Sequence, residues 1–223
     1  MNAIDMGVLL GLLPDFGTAA LRTLALLAAA VAGGLLIGFI ANLARELGPP
    51  LFARLYWVYT AVWRGVPFLV HLFIVYFGLP SAGLALSPFQ AAALTLAVYS
   101  GAYFAEIFRA CWRAIPAGQI EAARAAGLSR RQVFAVIQCP QALRAAVPLI
   151  ANQAILVLKE SALASVITYP ELTMTAGRIV AVQFTYVEPY LLLALCYWLL
   201  AAAIARAGRL LARRTAIDAM VKK

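Results

Sequence analysis

Residues 120–148 read IEAARAAGLSRRQVFAVIQCPQALRAAVP, a charged, alanine-rich stretch set between long hydrophobic runs. It writes two short helices joined by a sharp turn. Ile120 to Ala126 have high helix propensity, Pro116 suits a first helical turn, and Gln119 and Glu121 lie near its positive end. Gly127 suits the left-handed position that ends such a helix. Ser129 and Gln132 then fit a capping box, and Val133, Phe134, Val136 and Ile137 supply an apolar face before Pro140, which is expected to close the second helix.

What flanks this pair decides where it can sit. The chain of 223 residues is 65% hydrophobic with a mean hydropathy of +0.90, against about 45–50% apolar usage in soluble domains. Its length suits a single domain, residues 1–223. Crossing a hydrocarbon layer about 30 Å thick takes roughly 20 apolar residues of helix, and several stretches are long enough. Strand-period alternation is absent and open sheet edges cannot face lipid, so the fold class is an all-α integral membrane protein. Cys111, Cys139 and Cys196 show no CxxC spacing and read as small apolar residues of a reduced compartment. No cleavable signal peptide is expected, because Asp5 and Asp15 precede the first basic residue, Arg22.

Five transmembrane helices are expected, at about residues 20–44, 56–79, 89–109, 147–168 and 185–205. Gly34 and Gly38 in the first form a GxxxG, a mark of close helix packing. The charge-free run from Gly65 to Ala105 is too long for one helix, and GLPSAG at residues 78–83 with Pro88 divides it. Val66 to Leu79 would rise only about 21 Å, so the second helix is expected to begin near Tyr56, with Tyr56, Trp57, Tyr59 and Trp63 as an interfacial aromatic belt. Arg45 and Arg54, then Arg109, Arg113, Arg124, Arg130, Arg131 and Arg144, then Arg206, Arg209, Arg213, Arg214, Lys222 and Lys223 fall on one side; Arg22 and Arg178 fall on the other. The positive-inside rule puts the N-terminus outside and the C-terminus in the cytoplasm. The net charge of +9 is then topology, and no nucleic-acid partner is needed. The loop at residues 115–140 becomes a cytoplasmic helix pair between the third and fourth spans. By pattern alone it could equally be a connector lying on lipid headgroups.

Charges inside the spans need a reason, since each costs about 2.5–3.5 kcal/mol on insertion scales. Lys159 and Glu160 lie near the middle of the fourth span and point about 100° apart, poorly placed to pair with each other. Glu160 could line a path and meet an ammonium group, or either residue could make an interhelical ion pair. Glu106 and Arg109 form an i,i+3 pair near the cytoplasmic end of the third span, a salt bridge or a gate. Arg64 snorkels or faces a neighbouring helix, His71 is a satisfied core histidine or a substrate donor, and Asn152 bonds across helices or to a ligand. No phosphate-cradling GxxxxGK[ST] occurs: Lys159, Lys222 and Lys223 are the only lysines, and none follows such glycines. With one histidine, neither a hydrolase constellation nor a metal cluster is expected.

Several ordered motifs go further. Glu121-Ala122-Ala123 with Gly127 four residues on resembles the EAA loop of ABC importer permeases. WRGVPFL (63–69), YFGLP (76–80), AYFAEIFR (102–109), IPAGQIEAA (115–123), PQALR (140–144), LKES (158–161) and ELT (171–173) resemble the polar amino acid branch of that family, over roughly residues 16–205. The resemblance implies a bacterial inner-membrane importer subunit with no catalytic or metal site of its own. It implies two such subunits, identical or paralogous, an extracytoplasmic substrate-binding protein, and separate ATPase subunits that hold ATP and magnesium. Glu121, Ala122, Ala123, Arg124 and Gly127 would couple to the ATPase, and Glu160, Lys159, Ser161, His71 and Asn152 would lie along the substrate path. Cys139 replaces the usual leucine, His71 a common glutamine, Ala162 a frequent serine and Glu160 a frequent aspartate. Two other classes remain: an ion-gradient-driven transporter with Glu160 as coupling site, and an intramembrane enzyme using Glu160 or His71. Neither explains the capped cytoplasmic helix pair.

Overall fold

The structure, a computed structural model, describes residues 5–221, with side chains described through Arg214; Lys222 and Lys223 lie outside the described residues. Regular structure among them is helical: α1 (Met6–Leu47), α2 (Pro50–Gly65), α3 (Phe68–Phe73), α4 (Pro88–Arg113), α5 (Ala117–Ala125), α6 (Arg130–Gln132), α7 (Cys139–Glu160), α8 (Leu172–Gln183) and α9 (Val187–Val221). Four helices are long and apolar enough to cross a membrane, or five if the bent α2–α3 pair makes one span. Helix α1 starts well before the expected first span. The Asp5 carboxylate accepts from the Gly7 and Val8 N–H groups at 2.8 and 3.3 Å and caps it, and Pro14 does not interrupt it.

Three expectations about the helices need correcting. The second span is not one helix from 56 to 79: α2 begins at Pro50, and the chain bends by 102° between Gly65 and Phe68. The cause is Pro67, which forces Val66 into extended backbone (φ −109, ψ 138). Nor are the four aromatic residues of α2 a common interfacial belt. Tyr56 is buried and Tyr59 donates to the Val98 carbonyl at 2.6 Å, while Trp57 is exposed. Finally, Pro140 does not close a helix. Residues Arg130–Ile167 run as one helical rod, because Val133–Gln138 take a wider π-helical turn. That turn makes room for the proline ring and for the hydrogen bond it cannot donate.

Helix α8 was not foreseen. It starts at Glu171, whose carboxylate accepts from the Thr173 and Met174 N–H groups at 2.8 and 2.7 Å. Its buried face, Leu172, Ala176 and Ile179, packs with Leu12, Phe16 and Ala19 of α1 and Leu192 of α9.

Helix α4 forms the centre, entered through the Ser87–Gln90 capping box with Pro88 at the first helical position. Its closest neighbour is α1. A Cβ on Gly38 would stand 2.8 Å from the Ala105 nitrogen and 2.9 Å from the Gly101 carbonyl, and one on Gly34 would strike the Ser100 hydroxyl. Buried Asn42 completes the contact by donating across to the Ala105 carbonyl. The GxxxG expectation of close packing holds at this interface. Gly38→Val should therefore cost roughly 1–3 kcal/mol or more, read as a lower thermal midpoint in detergent. Gly11→Val, where an added Cβ meets nothing within 4 Å, should leave the midpoint nearly unchanged.

Candidate functional site

Glu160 ends α7, where the helix tightens into the 3₁₀ turn Ser161–Ile167. It lines a cavity of about 100 Å³ with Tyr99 and Tyr103 of α4 and Gln153, Leu156 and Val157 of its own helix. The two tyrosine hydroxyls stand 3.2 Å apart. Gln153 is buried, and among the described residues Glu160 has neither a hydrogen bond nor an ion pair. The His71 ring stacks on Trp63 at 4.2 Å and lies 6.2 Å from Tyr99. His71 is 7% exposed and its Nε2 is buried without a partner. Trp63, His71, Tyr99 and Tyr103 thus form a run of rings, with the orphaned His71 Nε2 and the half-buried Glu160 carboxylate along it.

The other residues expected with Glu160 are not there. Lys159 is exposed on the neighbouring face of α7, as the 100° step between adjacent helical residues requires. Ser161 is fully buried and donates to the Leu158 carbonyl at 2.7 Å. Asn152 is exposed in a groove between α7 and α9 and makes no hydrogen bond among the described residues. The bond across helices comes instead from Asn42.

Glu106, Arg109 and Arg64 do come together. The Glu106 carboxylate accepts from Arg109 Nη2 at 2.7 Å and Nε at 3.0 Å and from the Tyr56 hydroxyl at 2.5 Å, with Arg64 Nη1 3.5 Å away. Arg109 also lies 5.4 Å from the centre of the Trp57 ring, and Arg64 lies 5.4 Å from that of Tyr103. The carboxylate therefore fastens α2 to α4, and Arg64 carries the cluster up to the wall of the Glu160 cavity.

At the opposite end of α7 from Glu160, α5 has no buried residue; Glu121, Ala122 and Arg124 are exposed and Ala123 partly so. Gly127 sits at φ +86, with its N–H bonded to the Arg124 carbonyl at 2.9 Å and the Leu128 N–H to Ala123 at 3.1 Å. This is the double hydrogen bond of a Schellman motif. Ser129 and Gln132 exchange the expected capping-box bonds. Three ties hold the hairpin to the bundle. Phe134 packs edge-on against Trp112 at 5.1 Å, Gln141 donates to Gln119 at 2.8 Å, and Arg130 bonds the Glu46 carbonyl at the end of α1.

Sequence reasoning missed Tyr99, Tyr103, Gln153 and Glu171. Tyr99 and Tyr103 are an i,i+4 pair, and Gln153 precedes Glu160 by two turns, so helical spacing carried the signal. Glu171 is fully buried, and besides capping α8 it accepts from Tyr197 at 2.9 Å. Burial pushes its carboxyl up from the ordinary value, against the opposing pull of these donors.

Residues 34–217 match the family of binding-protein-dependent transport system inner membrane components. The chain is 42% identical over 168 residues to the probable amino-acid ABC transporter permease protein YckA of Bacillus subtilis (strain 168), covering 74% of this chain and 73% of that one. It is 37% identical over 189 residues to the glutamine transport system permease protein GlnP of Escherichia coli (strain K12), covering 84% and 86%. Its fold matches a chain in the crystal structure of an amino acid ABC transporter with histidines at a TM-score of 0.89 and 34% identity, over 96% of this chain and 100% of that one.

Removing the Tyr56 hydroxyl from Glu106 leaves the carboxylate its arginines but loses a charge-assisted bond. Tyr56→Phe should lower stability by roughly 1.5 kcal/mol, and Glu106→Ala, which strands two guanidinium groups, by more. Thermal unfolding in detergent measures both, and equal midpoints would count against this cluster as the α2–α4 fastener.

Proposed function

The chain belongs to the inner membrane components of binding-protein-dependent transport systems, and from that premise we propose that it is the membrane-spanning permease of an ATP-driven importer for a polar amino acid or a derivative of one. The names of its relatives support the substrate class. The observation that carries the mechanism is the α5–α6 hairpin: a capped helix that buries nothing in its own chain yet is tied at three points to α1, α4 and α7. Such a helix suits a docking partner. We assign Glu121, Ala122, Ala123, Arg124 and Gly127 to contact with an ATPase subunit that holds ATP and magnesium.

The basic end of the bundle then faces the cytoplasm, with the N-terminus outside, in the inner membrane of a bacterium. Residues 1–223 act as one permease domain, paired with a second permease chain and served by an extracytoplasmic binding protein. Closure of the ATPase dimer would carry the hairpin and bias the helices between inward-facing and outward-facing arrangements. That bias is limited to the ATPase's differential affinity for the two states. Inside, Glu160 offers a carboxylate to the substrate ammonium or to a cationic side chain, and Tyr99, Tyr103, Gln153 and His71 offer aromatic faces and hydrogen bonds around it. Arg64, Glu106 and Arg109 brace the wall from one side.

Two variants test the two halves of this reading. In proteoliposomes with the ATPase and binding protein, Glu160→Gln should lower uptake roughly tenfold or more by loss of a charge-assisted contact, with assembly intact. Gly127→Pro removes the N–H bonded to Arg124 and forces φ to about −65° where the turn needs a positive value. It should abolish ATPase co-purification from a chain that still folds. Uptake that persists without ATP would instead favour a gradient-driven carrier.

A further inference from the structure

Helix α9 carries Arg206, Arg209 and Arg213 at intervals of three and four residues, on one face. The three line a cavity of about 230 Å³ with Leu210, and none has an ion pair among the described residues. Beside it a groove of about 350 Å³ opens between α7 and α9, with Pro148 and Ile155 on one wall, Ala205 and Ala212 on the other, and Arg209 and Arg213 at its rim. The helices touch where Gly208 meets Ala151, which gives the groove a floor.

We propose that this site holds an anionic phospholipid, its phosphate between Arg209 and Arg213 with Arg206 alongside, and one acyl chain in the apolar groove. Depth and charge together select this occupant. From Val187 to Arg206 the helix rises about 28 Å, close to the thickness of the hydrocarbon layer of about 30 Å. Arg209 and Arg213 lie about 5 and 11 Å farther along the axis, at headgroup depth, while the end of the groove at Ala205 and Ile155 reaches into the acyl region. A basic pocket between membrane helices is a fitting receptor for such a headgroup, and guanidinium binds phosphate oxygens in a two-point fork. The inference rests on α9 crossing the membrane and not on what is transported.

The test exposes the full-length chain, extracted with its partners, to vesicles of phosphatidylcholine alone or mixed three to one with phosphatidylglycerol. After re-extraction, mass spectrometry counts the lipid retained per chain. Wild type should keep phosphatidylglycerol in preference to phosphatidylcholine. Arg209→Gln with Arg213→Gln should weaken that retention about twenty-five-fold, roughly fivefold for each arginine. Ala205→Trp, which fills the groove and spares the arginines, should also reduce it, and serves alone if the double variant does not fold. Equal retention of both lipids by the wild type would overturn the proposal, as would unchanged retention in Ala205→Trp. Crosslinking of Ala205→Cys to a second copy of the chain in native membranes would also overturn it, by assigning the groove to a protein partner.

Discussion

The contact between α1 and α4, at a spacing that only glycine allows, is the constraint on which the rest of the bundle depends. Lipid tails are as apolar as leucine, so helices in a bilayer gain little from hiding hydrophobic surface and rely on close packing and hydrogen bonds. Gly34, Gly38 and Gly101 supply the closeness, and Asn42 supplies a bond to the Ala105 carbonyl. One face of α4 is thereby sealed. At about 100° per residue, Tyr99, Tyr103 and Glu106 fall on the side opposite Gly101 and Ala105. Ser100 stays on the α1 side, while Tyr99, Tyr103 and Glu106 are turned toward α2 on one hand and α7 on the other.

Two glutamates on that side meet opposite fates. Glu106 is held by Tyr56 and Arg109, with Arg64 close by, so most of its lone pairs are occupied within the chain. Such a group gives register between helices and offers little to a visitor. Glu160 sits among tyrosines and a glutamine with no bond of its own among the described residues. In a low-dielectric setting an unanswered carboxylate is costly. Among the described residues no basic side chain reaches it. The same contrast separates Asn42, bonded across helices, from Asn152, which faces an open groove.

Much of this was legible in the residues. The all-helical class with several membrane-length helices, the turn at the left-handed glycine with its capping box, and the GxxxG contact followed from composition, Ser129–Gln132 spacing and glycine periodicity. Proline was the weak point in both directions. Pro67 bends α2–α3 within a run read as one helix, whereas Pro14 and Pro140 lie inside continuous helices. At Pro140 the preceding turn widens, whereas Pro14 sits in unbroken α-helix, and which outcome prevails depends on tertiary packing that local rules do not see. Site membership failed for a different reason. Adjacency in sequence grouped Lys159, Glu160 and Ser161, but a helix sends adjacent residues to different faces, and the true companions of Glu160 lie one helix away at Tyr99 and Tyr103 or two turns back at Gln153.

The uninterrupted rod from Arg130 to Ile167 has a mechanical consequence. Phe134, wedged against Trp112 of the central helix, lies near one end of it. The short arm, from Phe134 back to Arg130, measures about 6 Å and the long arm, out to Glu160, about 39 Å at the helical rise. With the aromatic wedge as fulcrum, the lever ratio is roughly six to one. A push of about an ångström on the hairpin end would sweep the Glu160 carboxylate sideways by about 6 Å, more than the width of a single side chain.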